Sequence, residues 1–184
     1  MRRSRSPGKG MVRSRDERNR EGEPSMNLRG TTLWGFVGTV VLTGLMAGSQ
    51  GLGLTRMNLP YMLGTMATPD RDRAKVVGIL LHLVNGWLFA GVYAAAFQSW
   101  RRATWWLGAA IGLVHALFVL TAGMPILPSL HPRMASEEQG PTPTRHLEPP
   151  GFMALNYGKR TPVSVILAHL AYGGILGAFY RVRR

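Results

Sequence analysis

Four stretches of this chain run for twenty or more residues without a Lys, Arg, Asp or Glu: 30–55, 76–100, 103–132 and 161–180. At ~1.5 Å of rise per residue, each is long enough for a helix to cross ~30 Å of hydrocarbon. Lipid offers the backbone no hydrogen-bond partners, so a single spanning segment has to satisfy its own peptide groups as a helix. The expected fold is therefore an all-α membrane protein of four transmembrane helices at about 32–54, 76–99, 104–124 and 161–180. Outer loops are expected over 55–75 and 125–160. Residues 30–184 form one membrane domain, because no other segment is long or apolar enough for a second core.

Charge orients these spans. The 22 basic residues divide into nine before the first span, four in 56–75, two at Arg101-Arg102, four in 133–160 and three at the C-terminus. With four spans, the N-terminal tail, the Arg101-Arg102 turn and the C-terminal Arg181, Arg183 and Arg184 share one side. The positive-inside rule makes that side, with both termini, cytoplasmic. The shortness of the Arg101-Arg102 turn predicts a tight hairpin of spans two and three.

The formal charge of +13 invites a nucleic-acid partner. Much of it, however, sits in the 1–29 tail, which also carries Asp16, Glu17, Glu21 and Glu23 and no aromatic residue. Such a segment is expected to be disordered and to meet the anionic lipid headgroups of the inner leaflet rather than nucleic acid. Met26-Asn27-Leu28-Arg29 would also serve as an ordinary start, which makes residues 1–25 a candidate over-extension of the gene. Ala47-Gly48-Ser49 is of cleavage-site type, but the uncharged run continues past it, favouring a retained helix over a signal peptide. Cysteine is absent, which excludes disulfides, thiolate catalysis and Cys-ligated metals.

Imidazoles are costly in lipid, so His82, His115 and His169 are the first candidate site residues. They lie about 9, 13 and 12 Å below the outer ends of their spans, a depth at which three helices could bring them together. Asn85 and Tyr172, each three residues from a histidine, share their helical faces and could give supporting hydrogen bonds. Of seven methionines beyond Met26, six lie at or past the outer span ends. Thioether and imidazole suit copper, so His82, His115, His169, His131 and Met134 are candidate metal ligands; two facing histidines could instead hold haem b or contact a quinone. Against this stand interhelical hydrogen bonding by histidine and packing by methionine, which need no ligand. The 68–75 segment reads as a helix cap with a charged first turn. Glu137, Glu138 and Glu148, with His131 and His146, offer carboxylate and imidazole for hydrolysis but no spacing signature. Common nucleotide, nucleophile-elbow and zinc-protease motifs are missing.

Two patterns concern helix packing. Gly44-x-x-x-Gly48 has the spacing that lets helices approach closely, within one bundle or between two copies. His82-Leu83-Val84-Asn85-Gly86 aligns with His169-Leu170-Ala171-Tyr172-Gly173, and Tyr93 and Tyr180 follow at the same offset. This suggests two pseudo-repeated helical hairpins. The prolines between 125 and 150 predict an irregular outer loop, and the 147–158 stretch either lies along the membrane face or plugs the mouth of the bundle.

The Gly-rich first span, Arg56-Met57-Asn58-Leu59-Pro60, His82 with Asn85-Gly86, and Leu147-Glu148-Pro149-Pro150-Gly151 together resemble small bacterial four-span membrane proteins classed as domains of unknown function. The resemblance covers about residues 26–184 and implies no activity. The expected role is that of an accessory or binding protein of the bacterial inner membrane rather than an enzyme. The alternatives are a copper- or haem-handling redox protein and a small-solute transporter working as a homodimer.

Overall fold

The computed structural model describes residues 26–136 and 140–183; the tail through Ser25, together with Glu137 and Glu138, lies outside them. The described chain is all-helical, with four helices long and apolar enough to cross a membrane. The helices are α1 Leu28–Gly51, α2 Leu59–Ala67, α3 Arg71–Ser99, α4 Trp105–Phe118, α5 Met124–Leu130 and α6 Thr161–Phe179. A π-helical segment, Val119–Gly123, joins α4 to α5 in one continuous span, Trp105–Leu130. The four spans are α1, α3, α4–α5 and α6.

Local chemistry sets the helix starts. The Asn27 side chain accepts from the Gly30 amide, Asn58 from Tyr61 and Asp70 from Arg73, so each occupies an N-cap and satisfies a peptide donor that has no intrahelical acceptor. Pro60 and Pro162 stand at the first positions of α2 and α6, where a missing N–H costs nothing. Asp72 and Lys75 pair across the first turn of α3. The 68–75 segment is thus a helix start.

Small residues bring the helices together. The closest pair is α4 and α6, where Gly108 and Gly112 meet Gly173, Gly177 and the His169 backbone. A Cβ on Gly108 would collide with the Gly173 carbonyl oxygen, and one on Gly173 with that of Gly108. Helix α6 also packs against α1, α1 against α3, and α2 lies across the start of α3. The tight hairpin expected of α3 and α4 is not formed by close backbone packing: Phe89 and Tyr93 of α3 reach His115 of α4, and large side chains fill the space between. The turn between them holds Arg101 at φ 51°.

Gly44 and Gly48 have no atom within contact distance of where a Cβ would stand, so their close-packing pattern is not used inside this chain. The bundle buries the opposite face of α1, with Gly35 against Ala90 and Trp87 and Gly38 against Tyr172. Apolar side chains such as Leu33, Val40, Leu80, Leu88, Val114 and Leu167 cover the outside, the distribution a bundle needs when its solvent is hydrocarbon.

The two ends differ. At one, Asn27 bonds the Tyr180 hydroxyl and the Arg181 carbonyl, and Gln98 bonds the Arg183 carbonyl, so the first helix, the α3–α4 turn and the C-terminal segment sit together. Trp100, Trp105 and Trp106 are exposed there, with Arg102 over the Trp106 ring at 5.3 Å, as at a membrane–water boundary. At the other end, the two long connections interlock into a cap. Arg56 donates to both Glu148 carboxylate oxygens, at 3.0 and 3.2 Å, and to the Asn156 carbonyl at 2.6 Å. The Thr55 and Thr161 hydroxyls bond at 2.7 Å.

The 152–157 segment is a short 3₁₀ element with Met153 and Ala154 in the left-handed region. Ala154 and Tyr157 join Ala116, Leu120 and Val165 in one apolar cluster. Phe152 and Leu155 of the same segment stay exposed, so it covers the bundle with one set of side chains and turns the other outward. The helix passes through Pro125 and Pro128, part of the proline run expected to be irregular. Pro125 has no N–H for the carbonyl one turn back, and the wider π turn just before it absorbs the mismatch.

Candidate functional site

His82 of α3, His115 of α4 and His169 of α6 line one interior cavity of about 40 Å³. The close α4–α6 packing sets the spacing of two of them. With Gly112 against the His169 backbone, the His115 and His169 rings stand edge to face at 4.7 Å between centroids. The His115 ring also stacks on Phe89 at 3.8 Å, and its Nδ1 lies 3.3 Å from the Tyr93 hydroxyl. His169 uses Nδ1 on the Val165 carbonyl at 2.8 Å. That bond needs the proton on Nδ1, which leaves Nε2 as a lone-pair donor.

His82 differs from the other two. It is only 7% exposed, and its Nδ1 has no hydrogen-bond partner among the described residues. Leaving a buried polar atom unsatisfied costs about 1–3 kcal/mol. Packing alone would favour an apolar side chain in its place.

The expected supporting residues are only partly arranged as the helical spacing suggested. Asn85 lines the cavity. The Tyr172 hydroxyl, also at its wall, donates to the Gly86 carbonyl of α3 at 2.6 Å and so ties α6 to α3 instead of bonding a histidine. Tyr93 and Phe89 hold His115 and were not selected from the sequence. Their signal was position: they follow His82 at seven and eleven residues, two and three turns along the same face of α3.

A second, smaller cavity of about 20 Å³ adjoins the first, sharing Leu42, Leu59, His82, Val119 and His169 in its walls. It adds Met46 of α1 and Met57 of the cap. Met46, Met57, Leu59 and Pro60 also line a mainly apolar recess of about 270 Å³, bordered by Gln50, Tyr61 and Lys75 at the capped end of the bundle. The Gln50 amide donates to the Met57 carbonyl and fixes that part of the wall. Val119, the first residue of the π segment, faces both inner cavities, so the helix irregularity lies beside the histidines.

His131 and Met134 are elsewhere. His131 Nε2 lies 3.0 Å from the Met62 carbonyl and 3.2 Å from the Thr65 hydroxyl, and its Nδ1 accepts from the Arg133 amide. Nε2 thus pins the segment after α5 to α2, while Nδ1 braces that segment's own backbone, so both ring nitrogens are used. Burial in the cap holds the His131 pKa below the usual histidine value. Met134 is fully buried among Met57, Met62, Met124 and Ala154, where its thioether packs the cap. Glu148 is paired with Arg56, and His146 is exposed. Among the described residues, no group of three or more His, Asp or Glu side chains is arranged to hold a metal ion. Any metal at the histidines would need a different donor set.

Comparison of the chain with protein-family models, curated proteins and solved structures returned no match.

Proposed function

We propose that this chain is a multi-pass protein of the bacterial cytoplasmic membrane, with both termini in the cytoplasm, that binds a small ligand in the cavity between His82, His115 and His169. The observation that carries the reading is His82, which is nine-tenths buried, lines both inner cavities and has an unpartnered ring nitrogen. A membrane helix that keeps such a group bears a cost in stability, and a bound molecule would offset it. The recess that shares Met46, Met57, Leu59 and Pro60 with the smaller cavity supports the same reading, because only those side chains separate the two.

The role is accessory or binding rather than catalytic. The two inner cavities offer imidazole, amide, phenol and thioether groups but no carboxylate to partner a histidine in proton transfer. Their volumes suit an ion or a few waters and are far too small for a haem. The placement of the arginines supports the orientation. Arg101, Arg102, Arg181 and Arg183 gather at the end where the first helix begins. The two-hairpin reading draws support from α1 packing on α3 and α4 on α6, with Tyr93 and Tyr180 both buried.

The stability of a His82→Leu variant separates binding from packing. In ligand-stripped protein in mild detergent, the variant should be as stable as wild type or more so, because it removes the unsatisfied nitrogen and keeps apolar volume. A loss of more than about 2 kcal/mol would instead mark His82 as a packing residue and remove the basis of this proposal.

A further inference from the structure

We infer that the lipid-facing groove between α1 and α3 seats one anionic phospholipid, with an acyl chain along Leu33, Phe36 and Trp87 and the headgroup phosphate at Arg29. The groove has a volume of about 630 Å³ and a nearly all-apolar lining, formed by Leu28, Arg29, Thr32, Leu33 and Phe36 of α1 and Trp87 of α3. It shares none of these residues with the histidine cavities, so the site is separate from the one proposed above. Leu28 to Phe36 covers about 12 Å along α1, from the helix start into its apolar run. That is the course of an acyl chain whose headgroup stays at the end of the bundle.

Local chemistry builds the wall of the groove. Gly35 lets the Trp87 indole lie against α1: a Cβ there would stand 3.1 Å from the ring's Cδ1. The ring Nε1 donates to the Thr32 carbonyl at 3.0 Å, so Trp87 is held by both helices while remaining 39% exposed. Leu33 and Phe36 are exposed as well. In a bilayer an acyl chain gains little by exchanging one apolar neighbour for another, so the groove fits a chain without choosing its lipid. Charge makes the choice. Arg29, Arg101, Arg102, Arg181 and Arg183 gather at this end of the bundle. The acidic residues of the described chain, Asp70, Asp72 and Glu148, all lie at the capped end, where Asp72 pairs with Lys75 and Glu148 with Arg56. Arg29 is exposed in the first turn of α1 and has no acidic partner among the described residues. A guanidinium at the rim of a hydrocarbon groove meets a phosphate with charge-assisted hydrogen bonds. A headgroup of net negative charge gains from the whole arginine cluster, whereas a zwitterionic one carries a counter-charge that offsets the gain.

The test places the full-length protein in phosphatidylcholine vesicles carrying a trace of photoactivatable phosphatidylglycerol or phosphatidylcholine with identical acyl chains, and maps the labelled residues by peptide mass spectrometry. Phosphatidylglycerol should label Leu33, Phe36 or Trp87 about fivefold more than phosphatidylcholine does, the scale of one arginine at an anionic lipid surface. Arg29→Gln should remove most of that preference and leave the melting temperature in place, because the side chain is exposed. Arg29→Lys, which keeps the charge, should retain the preference, and so should Lys159→Gln, which removes an equal charge at the capped end. Equal labelling by the two lipids would mean that bulk lipid covers the groove without selection. Absence of label from both would mean that protein covers it. A preference unchanged in Arg29→Gln, or lost equally in Lys159→Gln, would assign the effect to net charge. Each of these results would overturn the inference.

Discussion

Tyr157 shows how one side chain ties the cap together and how that can be measured. Its hydroxyl donates to the Glu148 carbonyl at 2.5 Å, and its backbone carbonyl accepts from the Arg56 amide at 2.8 Å. Burial, and then the Glu148 carboxylate, push the phenol up to about 12 from its ordinary value of 10.0. The folded chain keeps the group neutral where the unfolded chain ionises it. The resulting stability is complete below about pH 10 and is lost as pH rises toward 12. Unfolding measured in detergent between about pH 9 and 11.5 should show wild type losing stability more steeply than Tyr157→Phe; parallel curves would mean that Tyr157 is not held neutral by the fold. The histidines were legible in the sequence because an imidazole in an apolar run is costly wherever it points. Their partners were not, because a nearly all-apolar helix carries little information about its rotation. Thus Tyr172 shares a face with His169 yet reaches Gly86, while Met46 and Met57 come to the site from a different span and from the cap.

Among the elements, the glycine pattern has two outcomes. Gly44-x-x-x-Gly48, Gly108-x-x-x-Gly112 and Gly173-x-x-x-Gly177 share one spacing, yet only the last two bring helices of this chain together. Spacing says that a face can be approached closely; the partner depends on how all four helices pack. Replacing Gly108 or Gly173 by Leu should cost at least about 1–3 kcal/mol, or abolish the folded bundle, because the side chain meets backbone that cannot yield. Gly44→Leu and Gly48→Leu should remain within about 0.5 kcal/mol of wild type. Thermal unfolding of the four variants in one detergent checks the contrast; equal losses at Gly44 and Gly108 would contradict the α4–α6 assignment. Short α2 escaped notice inside the 55–75 connection, although Asn58 and Pro60 are start signals for it. Hydropathy finds segments that span and passes over a nine-residue helix lying across the end of one.

At the scale of the whole molecule, four spans with their ends gathered on one side give a defined topology. Reporter fusions after Arg102 and at the C-terminus should read cytoplasmic, and one within 140–146 should read external; the reverse pattern would invert the orientation. In that topology the cap would face the exterior, and the recess beside Tyr61 and Lys75 shares Met46, Met57, Leu59 and Pro60 with the smaller inner cavity. The central claim is that this interior holds a ligand. Native mass spectrometry of protein released gently from its own membrane tests it most directly, comparing wild type with His82→Phe, a change at the residue that lines both inner cavities. A stoichiometric adduct on wild type that is lost in the variant is the predicted result. A wild-type chain at its bare polypeptide mass would contradict the account and leave the histidines as packing residues.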